Sequence, residues 1–146
     1  KNVGLRSYAQ LCRLGARIIA EEHPSVVFFS PTMFALFALG PRWLAKFGVP
    51  YVLDFQDPWV SGHALPPLTS IGAIKRRAVD LLARAQEPAV VRKAAHIVCV
   101  SPAYPAMLRA RYPDVPAERF TVLPFAAAAS DMELAENAGV TQPVYD

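Results

Sequence analysis

Three times in this chain an apolar run ends in a polar residue followed at once by proline. The runs are Val26-Val27-Phe28-Phe29-Ser30-Pro31, Tyr51-Val52-Leu53-Asp54-Phe55-Gln56-Asp57-Pro58 and Ile97-Val98-Cys99-Val100-Ser101-Pro102. A short run rich in β-branched and aromatic residues reads as a buried strand. Ser or Asp before Pro reads as a helix start, because the side-chain oxygen caps free amides and proline fits the first turn. Repeated strand-then-helix junctions imply a parallel sheet with crossover helices. The expected fold is therefore α/β, a three-layer Rossmann-like parallel sheet with helices on both faces. Strands are expected near 25–30, 50–55, 96–100 and 120–123. Ser30, Asp57 and Ser101 then stand at the carboxyl ends of strands, the edge on which open α/β sheets bind ligands.

At 146 residues the chain suits one domain with a sizeable core. It is 53% hydrophobic and 18% charged, which fits strands buried on both faces. A net charge of +3, with no basic run interleaved with aromatics, gives no nucleic-acid footprint. The longest uncharged apolar stretch, 25–41, is broken by prolines and falls short of the roughly 20 residues of a typical membrane span. Cys12 and Cys99 have no metal or redox spacing and read as reduced core residues, which fits the cytoplasm. The chain starts Lys1-Asn2-Val3 and reads as a piece of a longer protein.

Along the chain, Leu5, Tyr8, Cys12, Gly15 and Ile19 recur at helical spacing, with Arg6, Gln10, Arg13, Arg17 and Glu21 opposite. His23-Pro24 ends that helix. A mostly apolar helix, bent near Gly40-Pro41, is expected over 31–47. Residues 59–70 form a loop rich in Pro, Gly and Ser. A long helix follows from Ile71 to about Ala94. Ile74, Ala78, Leu81, Leu82 and Ala85 make its inner stripe, Lys75, Arg76, Arg77 and Arg84 its wet face, and Pro88 should kink or restart it. A short helix is expected over 102–112. Residues 1–130 form the domain, and 131–146 form an acidic helix or tail.

Asp54 and Asp57 bracket the end of the second strand. Period-two alternation puts Asp54 with Gln56 and sets Asp57 on the other face, so the two carboxylates do not form an obvious acid/base pair. Asp57 either caps the next turn or accepts from a ligand hydroxyl at the binding edge. Trp59 either plugs the loop onto the sheet or stacks on a ligand. His63 is a loop histidine, and His23 and His96 read as structural. Ser30 and Ser101 are N-caps whose helix ends also suit a phosphate or polar ligand. No glycine-rich phosphate loop, metal spacing or Ser-His-Asp order is present, and no cofactor or metal is implied.

Gly48-Val49-Pro50-Tyr51-Val52-Leu53-Asp54-Phe55-Gln56-Asp57-Pro58-Trp59 resembles the "lgiPyvldfrDpW" segment of two-Rossmann (GT-B) glycosyltransferases, in particular the amino-terminal half of the family 4-like enzymes. The segment 91–103 resembles their "rrAdhivavSpa" run, and 116–124 their "vpaerftvipNG" run. The matches come in the family's order and cover most of 24–125. Gln56 stands where the family often has a basic residue, and Phe125-Ala126 where it has Asn-Gly.

The resemblance implies a cytoplasmic enzyme, or one peripheral to the inner membrane, that moves a sugar from a nucleotide-sugar to an acceptor hydroxyl in envelope or polysaccharide glycan synthesis. A sugar or lipid-linked acceptor docks on this domain, and a carboxyl-terminal domain beyond Asp146 holds the donor. Transfer retains configuration. Asp57 and Gln56 orient the acceptor hydroxyl, and Ser30, Asp54, Trp59, His63, Ser101 and Phe125 line the substrate cleft. The family's first βαβ unit precedes Lys1. Without it an inner strand becomes an edge, which favours a homodimer or low stability. The competing reading is a non-enzymatic, flavodoxin-like receiver or ligand-binding module with Asp54 as phosphate acceptor.

Overall fold

The computed structural model describes residues 3–30, 33–60 and 70–125, with side chains from residue 7 onward. Helix α1 (Val3–Glu22) leads into strand β1 (Val27–Phe29). A 3-10 turn, Phe34–Ala38, runs into α2 (Leu39–Phe47). Strand β2 (Tyr51–Phe55), α3 (Ile71–Lys93), β3 (His96–Cys99) and α4 (Ala103–Arg111) follow. A second 3-10 turn, Ala117–Arg119, precedes β4 (Phe120–Val122). The strands lie in the order β1-β2-β3-β4, and every neighbouring pair is parallel. This is the expected Rossmann-like α/β fold, an all-parallel sheet flanked by helices. Each strand occupies its expected place, shortened by one to three residues.

Alternation along the strands sorts their side chains. Phe29, Tyr51, Leu53, Phe55, Ile97 and Cys99 are buried. They form one core with Ile19 of α1, Phe37 of the first 3-10 turn, Leu39 and Trp43 of α2, Val90, Val91 and Ala94 of α3, and Leu108 of α4. The opposite face carries Phe28, Val52, Asp54, His96, Val98 and Thr121 and is more open, with Phe28 at 57% exposure. Among the described residues β1 pairs with β2 alone and is an edge of the sheet.

Tyr51 joins sheet to helices. Gly40 lies so close to its ring that a Cβ there would sit 2.7 Å from it. Its hydroxyl donates to the Val90 carbonyl at 2.7 Å. Val90 is among the last four residues of α3, whose carbonyls have no helical partner. Burial drives the Tyr51 hydroxyl's pKa up, so it stays a donor. Tyr51→Phe orphans that buried carbonyl and should lower stability by about 1–2 kcal/mol in urea unfolding. An unchanged midpoint would mean that water replaces the bond.

Three local expectations change. The segment before β2 is a 3-10 turn joined to an α-helix, not one bent helix. Pro41 has no N–H to bond the Phe37 carbonyl, so the α-helical ladder cannot run back through it. Gly48 closes α2 at φ 70°, where its N–H reaches the Leu44 carbonyl at 2.9 Å. α3 runs unbroken through Pro88. Its inner stripe is also not the expected one. Ala73, Ala83, Glu87, Val90 and Val91 are buried, while Ile74, Ala78, Leu81, Leu82 and Ala85 face outward. Val90 and Val91 under the sheet fix the helix rotation, and the 3.6-residue period carries that face back to Ala73.

Candidate functional site

The register places the carboxyl edge. Phe55, Cys99 and Val122 are level across β2, β3 and β4. The ladder continues one step, with Val100 N–H donating to Phe55 O at 3.2 Å and Leu123 N–H to Cys99 O at 2.8 Å. Asp57, Ser101 and Pro124 each stand two residues past those level positions, beyond the carboxyl ends of β2, β3 and β4. Ser30 does not join them, because β1 ends level with Leu53 and Ser30 falls three steps short of Asp57. The helix after β1 begins only at Phe34, so Ser30 is not its cap.

Asp57 is exposed, and no hydrogen bond or ion pair holds its carboxylate among the described residues. It does not cap α3. Ser70 does, with its Oγ accepting from Ala73 N–H at 3.2 Å. Asp54 and Gln56 share a face as expected: Gln56 Nε2 donates to Asp54 Oδ2 at 2.9 Å. Ser101 stands one residue before Pro102, the N-cap of α4, and its Oγ accepts from Ala103 N–H at 3.3 Å. Trp59 is half-buried and stacks on Phe34, with centroids 6.2 Å apart and planes 9° apart, and meets Phe37 edge-on at 5.8 Å. Its ring thus plugs the turn onto the core. Phe125 is exposed at the end of the described residues, and His63 lies outside them.

Cys99 beneath this edge is inert. Burial, with the Asp54 carboxylate adding to it, pushes its thiol up to about 12, so it stays protonated.

A pair that the sequence pattern does not reveal fixes the turn from below. Glu87 of α3 is fully buried, and its Oε1 accepts from Arg111 Nη1 of α4 at 2.6 Å. Arg111 Nη2 also donates to the Val60 carbonyl at 3.2 Å, next to Trp59. The other Glu87 oxygen is buried without a hydrogen-bond partner among the described residues. Burial pushes the Glu87 carboxyl up from its ordinary range, and the Arg111 cation pulls it back. One clamp thus ties α3, α4 and the segment after Asp57 together. The sequence signal was a lone carboxylate in line with Ala83, Val90 and Val91.

The three resembling segments fall on β2 with its turn, on the end of α3 through β3 to Ser101, and on β4. Residues 2–126 match the family model described as glycosyl transferase 4-like domain. The chain belongs to this family. A comparison with curated proteins gives no match. Within this glycosyl transferase 4-like domain, Asp57, Ser101 and residues 123–125 follow the carboxyl ends of β2, β3 and β4. No three His, Cys, Asp or Glu side chains among the described residues stand close enough to hold a metal ion. No described helix is long and apolar enough to cross a membrane.

Proposed function

We propose that this domain is the acceptor-side half of a glycosyltransferase of two-Rossmann (GT-B) architecture. It holds a sugar or lipid-linked acceptor while a second domain presents a nucleotide-sugar, for envelope or polysaccharide synthesis. The observation that carries this is Asp57, an exposed carboxylate without a protein partner among the described residues, on the strand-end turn of a glycosyl transferase 4-like domain. A carboxylate there accepts a hydrogen bond from the attacking hydroxyl and orients its lone pair toward the anomeric carbon. Gln56, tethered to Asp54, supplies a fixed amide beside it. Charge on the departing diphosphate is met by groups of the donor domain, and transfer retains configuration.

The receiver-like alternative is weaker. Asp54 lies within β2 and is already engaged by Gln56, whereas a phosphate acceptor must be open to attack.

Calorimetry of this chain against UDP-, GDP- and ADP-sugars tests the acceptor-side assignment. No micromolar binding is expected. Micromolar affinity for any of them would place the donor site in this domain and overturn the assignment.

A further inference from the structure

A cleft of about 510 Å³ opens in the helical layer. It lies between α1, the junction of the first 3-10 turn with α2, and the second half of α3. Ala38, Pro41, Ala85, Ala89 and Val90 form its apolar lining. Three of these are alanines, whose methyl groups stop short of filling the space between packed helices. The other lining residues are polar: Tyr8, Arg42 and Gln86. Tyr8 and Gln86 are half-buried and Arg42 is exposed. None of the three has a hydrogen-bond or ion-pair partner among the described residues. A mostly apolar recess of this size with a few unpaired polar groups has the make-up of a small-molecule site.

Charge selects the class of ligand. Arg42 is always cationic, and its guanidinium presents a donor fork that matches a carboxylate. The helices around the cleft give it no carboxylate of their own. α2 contains none. Glu21 and Glu22 end α1, about 20 Å along the helix from Tyr8. On α3, Asp80 lies on the flank that meets Trp59 and Val60, and Glu87 is fully buried against Arg111. We propose that this cleft binds a compact apolar molecule bearing one carboxylate. Its apolar body rests on Ala38, Ala85, Ala89 and Val90, its carboxylate pairs with Arg42, and Tyr8 and Gln86 meet any further polar atoms. The site is separate from the sugar-transfer reading, because none of Gln56, Asp57, Trp59 and Ser101 lines it.

Titration of the isotope-labelled chain with 2-naphthoate, followed by its amide NMR shifts, tests this. The shifts should saturate with a Kd below about 1 mM and concentrate on residue 8 and the segments 38–42 and 85–90. 2-Naphthamide has the same shape without the charge and should bind about tenfold more weakly. Arg42→Gln should abolish that difference and leave the fold unchanged, since Arg42 is exposed and unpaired among the described residues. Ala89→Trp, at an exposed position, should obstruct the cleft and weaken naphthoate at least about tenfold. If the tryptophan disturbs folding, the Arg42 comparison decides alone. Absence of saturable binding, shifts centred elsewhere, or equal affinity for the acid and the amide would overturn the proposal, as would an affinity that neither substitution moves. A solution dimer that Ala89→Trp dissolves, with no binding of naphthoate, would assign the cleft to a second copy instead.

Discussion

Arg111→Met should cost about 3 kcal/mol of stability at pH 7, at the low end of the range for deleting one partner of a buried ion pair. The loss comes from Glu87 more than from the arginine. Glu87 is fully buried, one of its oxygens already lacks a partner, and Arg111 supplies the other oxygen's bond at 2.6 Å. Without that cation the carboxylate must stay charged in an apolar site or take up a proton. The second course limits the loss and sets its pH dependence. A carboxyl whose pKa is raised on folding binds more protons folded than unfolded. Its stability is therefore fully present below the ordinary carboxylate pKa and drains away as pH rises through the raised value. The variant should then lie near the wild type at about pH 4 and fall progressively below it toward pH 7. Replacing both residues by methionine should restore most of the stability, because an apolar pair leaves no buried charge. Urea unfolding midpoints at the two pH values check this. A double variant as weak as the single one would show that the clamp acts through the Val60 carbonyl and not through Glu87.

How far the sequence was legible follows from the range of each signal. Strand positions were readable because β-branched and aromatic runs bounded by proline are local features, and parallel strands buried in a core must be apolar. That Asp54 and Gln56 share a face followed from period-two alternation alone, and the 2.9 Å bond between them agrees with it. The rotation of α3 was not readable. Its outward stripe is more apolar than the buried one, which relies on alanines and a carboxylate. Hydropathy ranks the stripes in the wrong order where close packing of the helix favours small residues.

The site shows the same division. The carboxyl edge could be located, because every strand-to-helix junction in a parallel sheet points the same way. Which polar residues act as caps could not be told from Ser-Pro and Asp-Pro pairs alike. Ser101 bonds the first amide of α4 from one residue before its N-cap, Met33 and not Ser30 is the N-cap of the turn that begins at Phe34, and Asp57 leaves capping of α3 to Ser70. The Glu87–Arg111 clamp spans 24 residues and joins two helices, so the lone carboxylate in line with Ala83, Val90 and Val91 could not name its partner.

Asp57 therefore carries the sharpest functional test. In the intact glycosyltransferase, Asp57→Asn should lower turnover by about a hundredfold, roughly 2.7 kcal/mol of transition-state stabilisation. The melting temperature should hardly move. Asparagine keeps the size of aspartate and caps a helix about as well, so a structural cap would tolerate the change. What asparagine lacks is the negative charge that draws the acceptor proton and strengthens the attacking oxygen. The structure sharpens the contrast. The carboxylate has no hydrogen bond among the described residues, the turn behind it is fixed by Trp59 on Phe34, and Arg111 holds the Val60 carbonyl. Little stability is therefore at stake at Asp57, and a large turnover loss would have to come from the reaction itself. Asp54→Asn provides the comparison. It keeps an acceptor for Gln56, so its effect on turnover should stay within about tenfold. Near-normal turnover in Asp57→Asn would reduce this carboxylate to a surface residue and move the acceptor site away from the turn after β2.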